Sequence, residues 1–251
     1  MGERSLWRRD VGYFIAGPGL LAALSVALFT FSPWPVPIPS QAATLQPTVV
    51  AVLLAAGIVG VGLSSRAGLP SAPRLGDGRA WIRIAVPTLI AGAGFGSVML
   101  ASDAATHFTS SALKALGASW INVPLPWSLP HYGAATVLVE VIYRLFPLPV
   151  LTFFFGLLLK GRGVSPVFWA LAILTSSIEP TSLLALGRPD ALAALLGLVV
   201  IAFAANFFEA MEMKRHGWPA PILFRLSFYG VWHCFGPYLL PRTSVLYPGL
   251  H

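Results

Sequence analysis

The stretch VLVEVIYR, residues 137–144, places two charged side chains inside one of the most apolar runs of the chain. Glu140 and Arg144 are four residues apart, so on a helix they share a face and can form an ion pair. A charged side chain at the centre of a bilayer costs ~2.5–3.5 kcal/mol on insertion scales, and such residues therefore face the protein interior. If this run crosses a membrane, the pair predicts a helix that packs around a polar interior.

The composition of the whole chain indicates a membrane protein. The 251 residues are 56% hydrophobic and only 10% charged, whereas a soluble domain has about 25% charged residues. We therefore predict an all-α, polytopic transmembrane helical bundle that forms one domain over residues 1–251. Cys234 is the only cysteine, which excludes an intrachain disulfide and a cysteine-based metal site.

Seven apolar runs approach the ~20 residues that a helix needs to cross a bilayer. They lie at about 11–32, 46–63, 82–102, 133–159, 165–179, 191–211 and 219–240. The fourth run is long and contains Pro147 and Pro149, and the fifth is short and ends near Pro180. Eight spans therefore stay open beside seven. The length of the first run favours a retained span over a cleaved signal peptide.

Basic residues mark one side of the predicted membrane protein. Most of the 16 Lys and Arg residues fall on a single side if the spans alternate in direction. The positive-inside rule then places the N-terminus in the cytoplasm. The basic excess is thus a topology signal, so membrane lipids are the expected partners and no nucleic acid is needed.

The last span carries a polar and aromatic face. Arg225, Tyr229 and His233 recur at every fourth residue, with Trp232 beside them. Backbone carbonyls can satisfy the Arg225 guanidinium within a packing face. Alternatively, this face meets the Glu140–Arg144 face, and the two enclose a polar chamber with Glu140, Glu179 or Glu209 as the acceptor.

The remaining polar residues are expected at surfaces. Glu179 in TSSIEPTS, residues 175–182, is either an interfacial carboxylate exposed to water or a second acid of the chamber. We expect Glu209 and Glu212 to be solvated, since Lys214 and Arg215 follow them. His131 is expected in a surface loop. No metal-ligand spacing such as HExxH and no GxSxG or Walker loop occurs, so we expect no metal and no cofactor.

Three segments resemble the CPBP family of CAAX proteases and bacteriocin-processing enzymes. VEVIYRLFPLP, residues 139–149, is similar to the family's Glu-Glu-x-x-x-Arg segment, and KRHGWPAPILFRLSFYGVWH, residues 214–233, to its late segment. SSRAGLPSAPRL, residues 64–75, resembles the loop before the third span in bacterial members. The resemblance covers most of residues 60–240. It implies a glutamate-dependent intramembrane endopeptidase of the bacterial cytoplasmic membrane, with Glu140 and Arg144 at the matched catalytic positions.

The chain departs from the family at its acid–base residues. Val139 stands in place of the first glutamate, Arg225 in place of a histidine and Tyr229 in place of an Asn or Asp. No histidine occurs near residues 173–184, where the middle motif places one. A permanently charged Arg cannot accept a proton, so it cannot act as a general base.

These departures favour a non-catalytic member of the family that binds a membrane partner or peptide as a scaffold or assembly factor. Glu179, Arg225, Tyr229, Trp232 and His233 are its candidate binding residues. One alternative is an active endopeptidase that uses Glu140 with Glu179 and His233. Another is a transporter or channel with a path lined by Glu140, Arg144 and Arg225.

Overall fold

The computed structural model describes residues 3–36, 39–107, 109, 122–185 and 192–239. Every regular element in these ranges is helical, as predicted from the composition. The α-helices are α1 Glu3–Phe14, α2 Leu20–Phe31, α3 Pro39–Thr44, α4 Pro47–Ser64, α5 Gly78–Thr106, α6 Ser128–Glu140, α7 Pro147–Leu158, α8 Val164–Ala185, α9 Leu192–His216, α10 Pro219–Tyr229 and α11 Gly236–Leu239.

Among the described residues, three one-turn π-helices join consecutive α-helices into longer rods. They are π1 Ile15–Gly19, π2 Val141–Leu145 and π3 Gly230–Phe235. Pro18 lies inside π1, and because a proline ring cannot donate a backbone hydrogen bond, a wider turn accommodates it. π2 begins directly after Glu140, so it sets the angle at which the Arg144 side chain leaves the helix.

Five helical rods in the described part of the chain are long and apolar enough to cross a membrane. They are Ser5–Phe31, Pro47–Ser64, Gly78–Thr106, Ser128–Leu158 and Leu196–His216. The fourth predicted run is one rod, because π2 continues α6 into α7 despite Pro147 and Pro149. The fifth run does not end near Pro180, since α8 continues to Ala185 with Pro180 inside it.

Close glycine contacts show the relative direction of neighbouring helices. Gly57 of α4 lies against Phe14 and Gly62 lies against Trp7, so α4 runs antiparallel to α1. Gly92 of α5 lies against Phe224, and the Ser227 hydroxyl donates to the Leu89 carbonyl at 2.6 Å.

Four residues later on α5, Gly96 lies against Val231, which follows Phe224 along the chain. α10, π3 and α11 together form one rod over residues 219–239, which we call the last rod. It is therefore parallel to α5. A side chain at Gly92 would meet backbone atoms of Phe224. Small residues thus allow these two backbones to approach closely, as they commonly do between membrane helices.

The main apolar core surrounds the middle of the fourth rod. Val137, Val141, Leu145 and Leu148 are buried there. The Phe14 ring reaches the same core from the first rod and packs edge-on against Trp218. The charges of this rod are therefore enclosed by apolar side chains from several helices.

Candidate functional site

Arg144 leaves the π2 turn toward α9 and makes contacts with three residues. Its Nη1 donates to Glu140 Oε1 at 2.8 Å, which is the pair expected from the spacing in VLVEVIYR. Its Nη2 contacts Glu209 Oε2 at 2.7 Å. Its Nε donates to the Asn206 backbone carbonyl at 3.2 Å, and Nη2 also donates to the Asn206 side chain. The guanidinium thus links its own rod to α9.

Arg225 enters the same site from α10. Its Nε donates to Glu140 Oε1, and its Nη2 donates to Glu209 Oε2 at 2.8 Å and to Asn206 Oδ1 at 2.7 Å. Its Nη1 donates to the Tyr229 hydroxyl one turn later, at 3.1 Å. The face of the last span therefore meets the Glu140–Arg144 face, and the acceptor of Arg225 is a set of side chains rather than backbone carbonyls.

Asn206 is a site residue that the sequence analysis missed, whereas Glu209 was named there as one of three possible acceptors of Arg225. Glu209 was expected to be solvated, and this expectation is wrong, because the carboxylate is buried and contacts both guanidinium groups. α9 extends to His216, so Glu209 lies nearly two turns before the end of the helix. The signal was the spacing of Asn206 and Glu209, three residues apart on one face of an apolar helix.

Glu212 was also expected to be solvated, and it is buried as well. It accepts a hydrogen bond from the Thr88 hydroxyl of α5 at 3.2 Å. It also lies 3.7 Å from Arg215 and 3.8 Å from His216. Glu212 therefore forms a separate polar contact between α5 and the end of α9.

Glu179 lies at the edge of the site. Its Oε2 accepts from Asn206 Nδ2 at 3.1 Å and lies 3.6 Å from Arg225 Nη2. Its side chain is 32% exposed, whereas that of Glu140 is fully buried. Both interpretations of TSSIEPTS thus hold in part, since this carboxylate contacts the buried charges and also reaches the surface of the protein.

We call Glu140, Arg144, Asn206, Glu209 and Arg225 the charged cluster. Its two guanidinium groups contact two fully enclosed carboxylates and the more exposed Glu179. Ions removed from water are tolerated only when opposite charges and hydrogen bonds replace their solvation. The charged cluster therefore joins the fourth rod, α9 and α10. Replacing any one of its charged side chains by an apolar one would leave a buried charge without its partner.

A second set of polar and aromatic side chains lies near the start of α6 and in π3 of the last rod. The His233 ring stacks on the Tyr132 ring with 4.3 Å between centroids and 9° between planes. His233 Nδ1 and the Tyr132 hydroxyl both contact Asn122 Oδ1. His131 was expected at the surface, but it is buried and accepts from Trp34 Nε1 at 3.4 Å. We call Trp34, Asn122, His131, Tyr132 and His233 the aromatic–histidine cluster.

Tyr229 connects the two clusters, whereas Trp232 only borders the aromatic–histidine cluster, with its ring edge-on to His233 at 6.0 Å between centroids. The Tyr229 ring packs edge-on against Tyr132 at 5.7 Å between centroids, while its hydroxyl contacts Arg225. Trp232 packs with Met99, Leu100 and Leu198 in a smaller apolar group. The predicted single face of the last span is thus divided among three environments, because π3 rotates the residues after Tyr229.

No protein-family model matches the chain, and neither the curated proteins nor the solved structures include a match. The class that the fold and the site define is a helical protein with segments long and apolar enough to cross a membrane and with a buried cluster of opposite charges.

Proposed function

We propose that the chain is an integral membrane protein with seven spans. Five of them are the long apolar rods described above, and the other two are α8 and the last rod. α8 contains 22 residues, which is sufficient for a bilayer. These two segments carry Glu179 and Arg225, which lower their apolar character. Because both side chains contact partners inside the protein, their charges do not oppose insertion as isolated charges would.

The directions of the helices support this count. The last rod is parallel to α5 and, from the Glu140–Arg225 and Tyr132–His233 contacts, antiparallel to α6. Seven alternating spans satisfy both relations, since α5 is then the third, α6 begins the fourth and α10 begins the seventh. The basic segments at Arg74–Arg83 and Lys214–Arg215 then share the cytoplasmic side with the N-terminus.

We further propose that this protein is a non-catalytic relative of the CPBP endopeptidases that binds a membrane protein or peptide. The observation that carries this proposal is the position of Arg225, whose guanidinium contacts both Glu140 and Glu179. In the protease hypothesis these two carboxylates share an activated water. Here a permanent cation stands in contact with both of them.

The chemistry of the other groups points the same way. A general base needs an acceptor within hydrogen-bond reach of the proton that it removes. Glu140 Oε1 is engaged by Arg144 and Arg225 together, and His233 lies between Tyr132 and Asn122. These contacts suit a group that maintains the arrangement of helices better than one that transfers protons.

One observation favours the alternative of an active endopeptidase. Glu140 Oε2 is buried and has no hydrogen-bond partner within the described part of the chain. No described residue uses the lone pairs of this oxygen, so they could accept a proton from a water molecule that enters the site. A cleavage assay therefore decides between the two hypotheses.

The assay uses purified full-length protein in liposomes with fluorogenic transmembrane and prenylated peptides. We expect no cleavage above protein-free liposomes. Cleavage by the wild type that disappears in Glu140→Gln and persists in the control variant Glu212→Gln, whose buried carboxylate lies outside the charged cluster, would overturn the non-catalytic proposal. Mass spectrometry of the products distinguishes cleavage at one defined peptide bond from cleavage at several bonds by a contaminating protease.

Partner binding is tested by photo-crosslinking in native membranes. A photo-reactive residue at Ile178, which is exposed beside Glu179, should crosslink to one defined membrane polypeptide. The matched control is Ile90 of α5, which is also exposed. Crosslinks to lipid alone at both positions would contradict a partner that docks near Glu179.

A further inference from the structure

One exposed side of α5 combines two arginines at its start with apolar side chains further along. Arg79 and Arg83 are four residues apart in the first two turns of α5, and both are exposed. Val86 and Ile90 follow at helical spacing and are 48% and 67% exposed. Residues three and four apart share one side of a helix. We call Arg79, Arg83, Val86 and Ile90 the α5 outer face, which runs from two cationic groups into an apolar surface.

The two guanidinium groups of the α5 outer face have no ion-pair partner among the residues that the structure describes. The acid that precedes them, Asp77, caps α5, since its carboxylate accepts a hydrogen bond from the Ala80 N–H at 3.0 Å. Glu212 contacts α5 through Thr88, which the helical period places on the opposite side of the helix from Arg79. The charges of Arg79 and Arg83 are therefore available to an anion from outside the protein.

The depth of these residues suits a phospholipid. The seven-span arrangement proposed above places the start of α5 at the cytoplasmic surface, and the inference rests on that arrangement. At 1.5 Å per residue, Val86 and Ile90 lie about 4.5 and 10.5 Å beyond Arg83 along the helix axis. One leaflet contributes about 15 Å of hydrocarbon. A lipid whose phosphate contacts the two arginines would therefore extend its acyl chain along both apolar side chains.

We propose that the α5 outer face binds an anionic phospholipid of the cytoplasmic leaflet. The phosphate lies between Arg79 and Arg83, and one acyl chain packs along Val86 and Ile90. Guanidinium groups match phosphate oxygens in paired, charge-assisted hydrogen bonds, and an anionic headgroup supplies the counter-charge that the described protein does not. The site shares no residue with the charged cluster, so it is separate from the proposed partner-binding site.

Arg66 provides a matched comparison on the same side of the membrane. It is exposed and has no ion-pair partner among the described residues. The turn of α4 that precedes it is buried, however, and comprises Gly60, Val61, Gly62 and Ser64. An acyl chain below Arg66 would therefore find no exposed apolar surface on that turn, so Arg66 supplies the charge of the proposed site without its apolar part.

The first test uses native mass spectrometry of full-length protein in a mild detergent. The protein is offered phosphatidylglycerol and zwitterionic phosphatidylcholine with the same acyl chains. We expect the wild type to retain phosphatidylglycerol in preference. The double variant Arg79→Gln with Arg83→Gln should lower the retention of phosphatidylglycerol by about tenfold, because both basic groups near the headgroup are lost. Arg66→Gln should keep the preference of the wild type.

The second test locates the acyl chain by photo-crosslinking in nanodiscs that contain both lipids. A photo-reactive residue at Ile90 should crosslink phosphatidylglycerol above its share of the bilayer, and the double variant should lose this enrichment. The control position is Val98, which is exposed further along α5, in the outer leaflet of the seven-span arrangement. Crosslinks there should follow the composition of the bilayer.

The outcomes separate the lipid site from the seven-span arrangement. Absence of any lipid crosslink at Ile90 would show that this side of α5 does not face the bilayer, which overturns both. Lipid crosslinks at Ile90 without enrichment, equal retention of the two lipids by the wild type, or equal effects of Arg66→Gln and the double variant would overturn the lipid site alone. If the double variant fails to fold, the wild type and Arg66→Gln still decide the outcome.

Discussion

The charged cluster and the aromatic–histidine cluster lie along the same pair of antiparallel helical segments, α6 with π2 and the last rod, but different interactions maintain them. In the charged cluster, two guanidinium groups and the Glu140 and Glu209 carboxylates are enclosed together. In the aromatic–histidine cluster, the stacked rings of Tyr132 and His233 both contact the side-chain oxygen of Asn122. From this difference we expect that removing one charged partner destabilises the protein more than replacing one ring of the aromatic–histidine cluster by another ring.

The largest expected effect is that of Glu140→Ala. The substitution leaves Arg144 and Arg225 buried with only one of their two shared carboxylates, that of Glu209. Breaking a buried ion pair from one side costs about 3–5 kcal/mol. Equilibrium unfolding of the detergent-solubilised protein measures this loss of stability. If Glu140→Ala lost less stability than His233→Phe, the proposed difference between the two clusters would be wrong.

The double variant Glu140→Met with Arg225→Met sharpens the same point. Replacing both members of a buried pair by apolar residues is often neutral or stabilising, and Arg144 keeps its contact with Glu209. The double variant should therefore be more stable than Glu140→Ala. Equal stability of the two would show that loss of packing, and not an unpaired charge, dominates.

The next effect is that of Gly60→Ala, which tests how the π2 turn supports the charged cluster. A Cβ at Gly60 would lie 1.8 Å from the Leu145 carbonyl oxygen, next to Arg144. The two backbones must separate, and such overpacking typically costs about 1–3 kcal/mol. Thermal unfolding of the purified protein measures the change, with Gly94→Ala as the control because its Cβ meets open space. Equal stability of these two variants would contradict the close contact.

A smaller effect is expected in the aromatic–histidine cluster. His233→Phe preserves a ring that can stack on Tyr132 but removes the contact with Asn122, at a cost of about 1–2 kcal/mol. Chemical unfolding measures it beside His216→Phe, whose side chain is partly exposed and should change stability by less than about 0.5 kcal/mol. A loss as large as that of Glu140→Ala would show that the two clusters do not differ.

The smallest effect is expected for Glu179→Gln. The side chain is 32% exposed and lies 3.6 Å from Arg225, and exposed ion pairs are typically worth about 0.2–1 kcal/mol. The amide can still accept from Asn206. Unfolding at low and high salt measures the loss, which should shrink as salt screens the charge. If Glu179→Gln lowered the unfolding free energy as much as Glu140→Gln does, and equally at low and high salt, Glu179 would belong to the charged cluster.

Much of the site followed from local spacing. Glu140 and Arg144, and Arg225 and Tyr229, are separated by one helical turn, and each pair forms the expected contact. The acceptors of Arg225 were only narrowed to three glutamates, because spacing within one helix does not tell which face of another helix it meets. Asn206 was missed and Glu209 misplaced for this same reason, as both come from α9.

Local patterns also failed where a helix changes its winding. Trp232 and His233 were assigned to the face of Arg225 on the assumption of a regular α-helix. π3 alters that phase, so His233 reaches Tyr132 while Trp232 reaches Met99 and Leu100. His131 was assigned to a loop, but α6 begins three residues earlier, at Ser128.

The sequence by itself determined that this protein is a bundle of apolar helices with paired charges inside it, because hydrophobic composition and one-turn spacing are properties of the chain alone. Only the tertiary structure decided that Arg225 joins Glu140, Glu179 and Glu209 and that the aromatic face divides. Those contacts depend on how four separate helices approach and rotate about their axes, and close glycine contacts and π turns set that geometry.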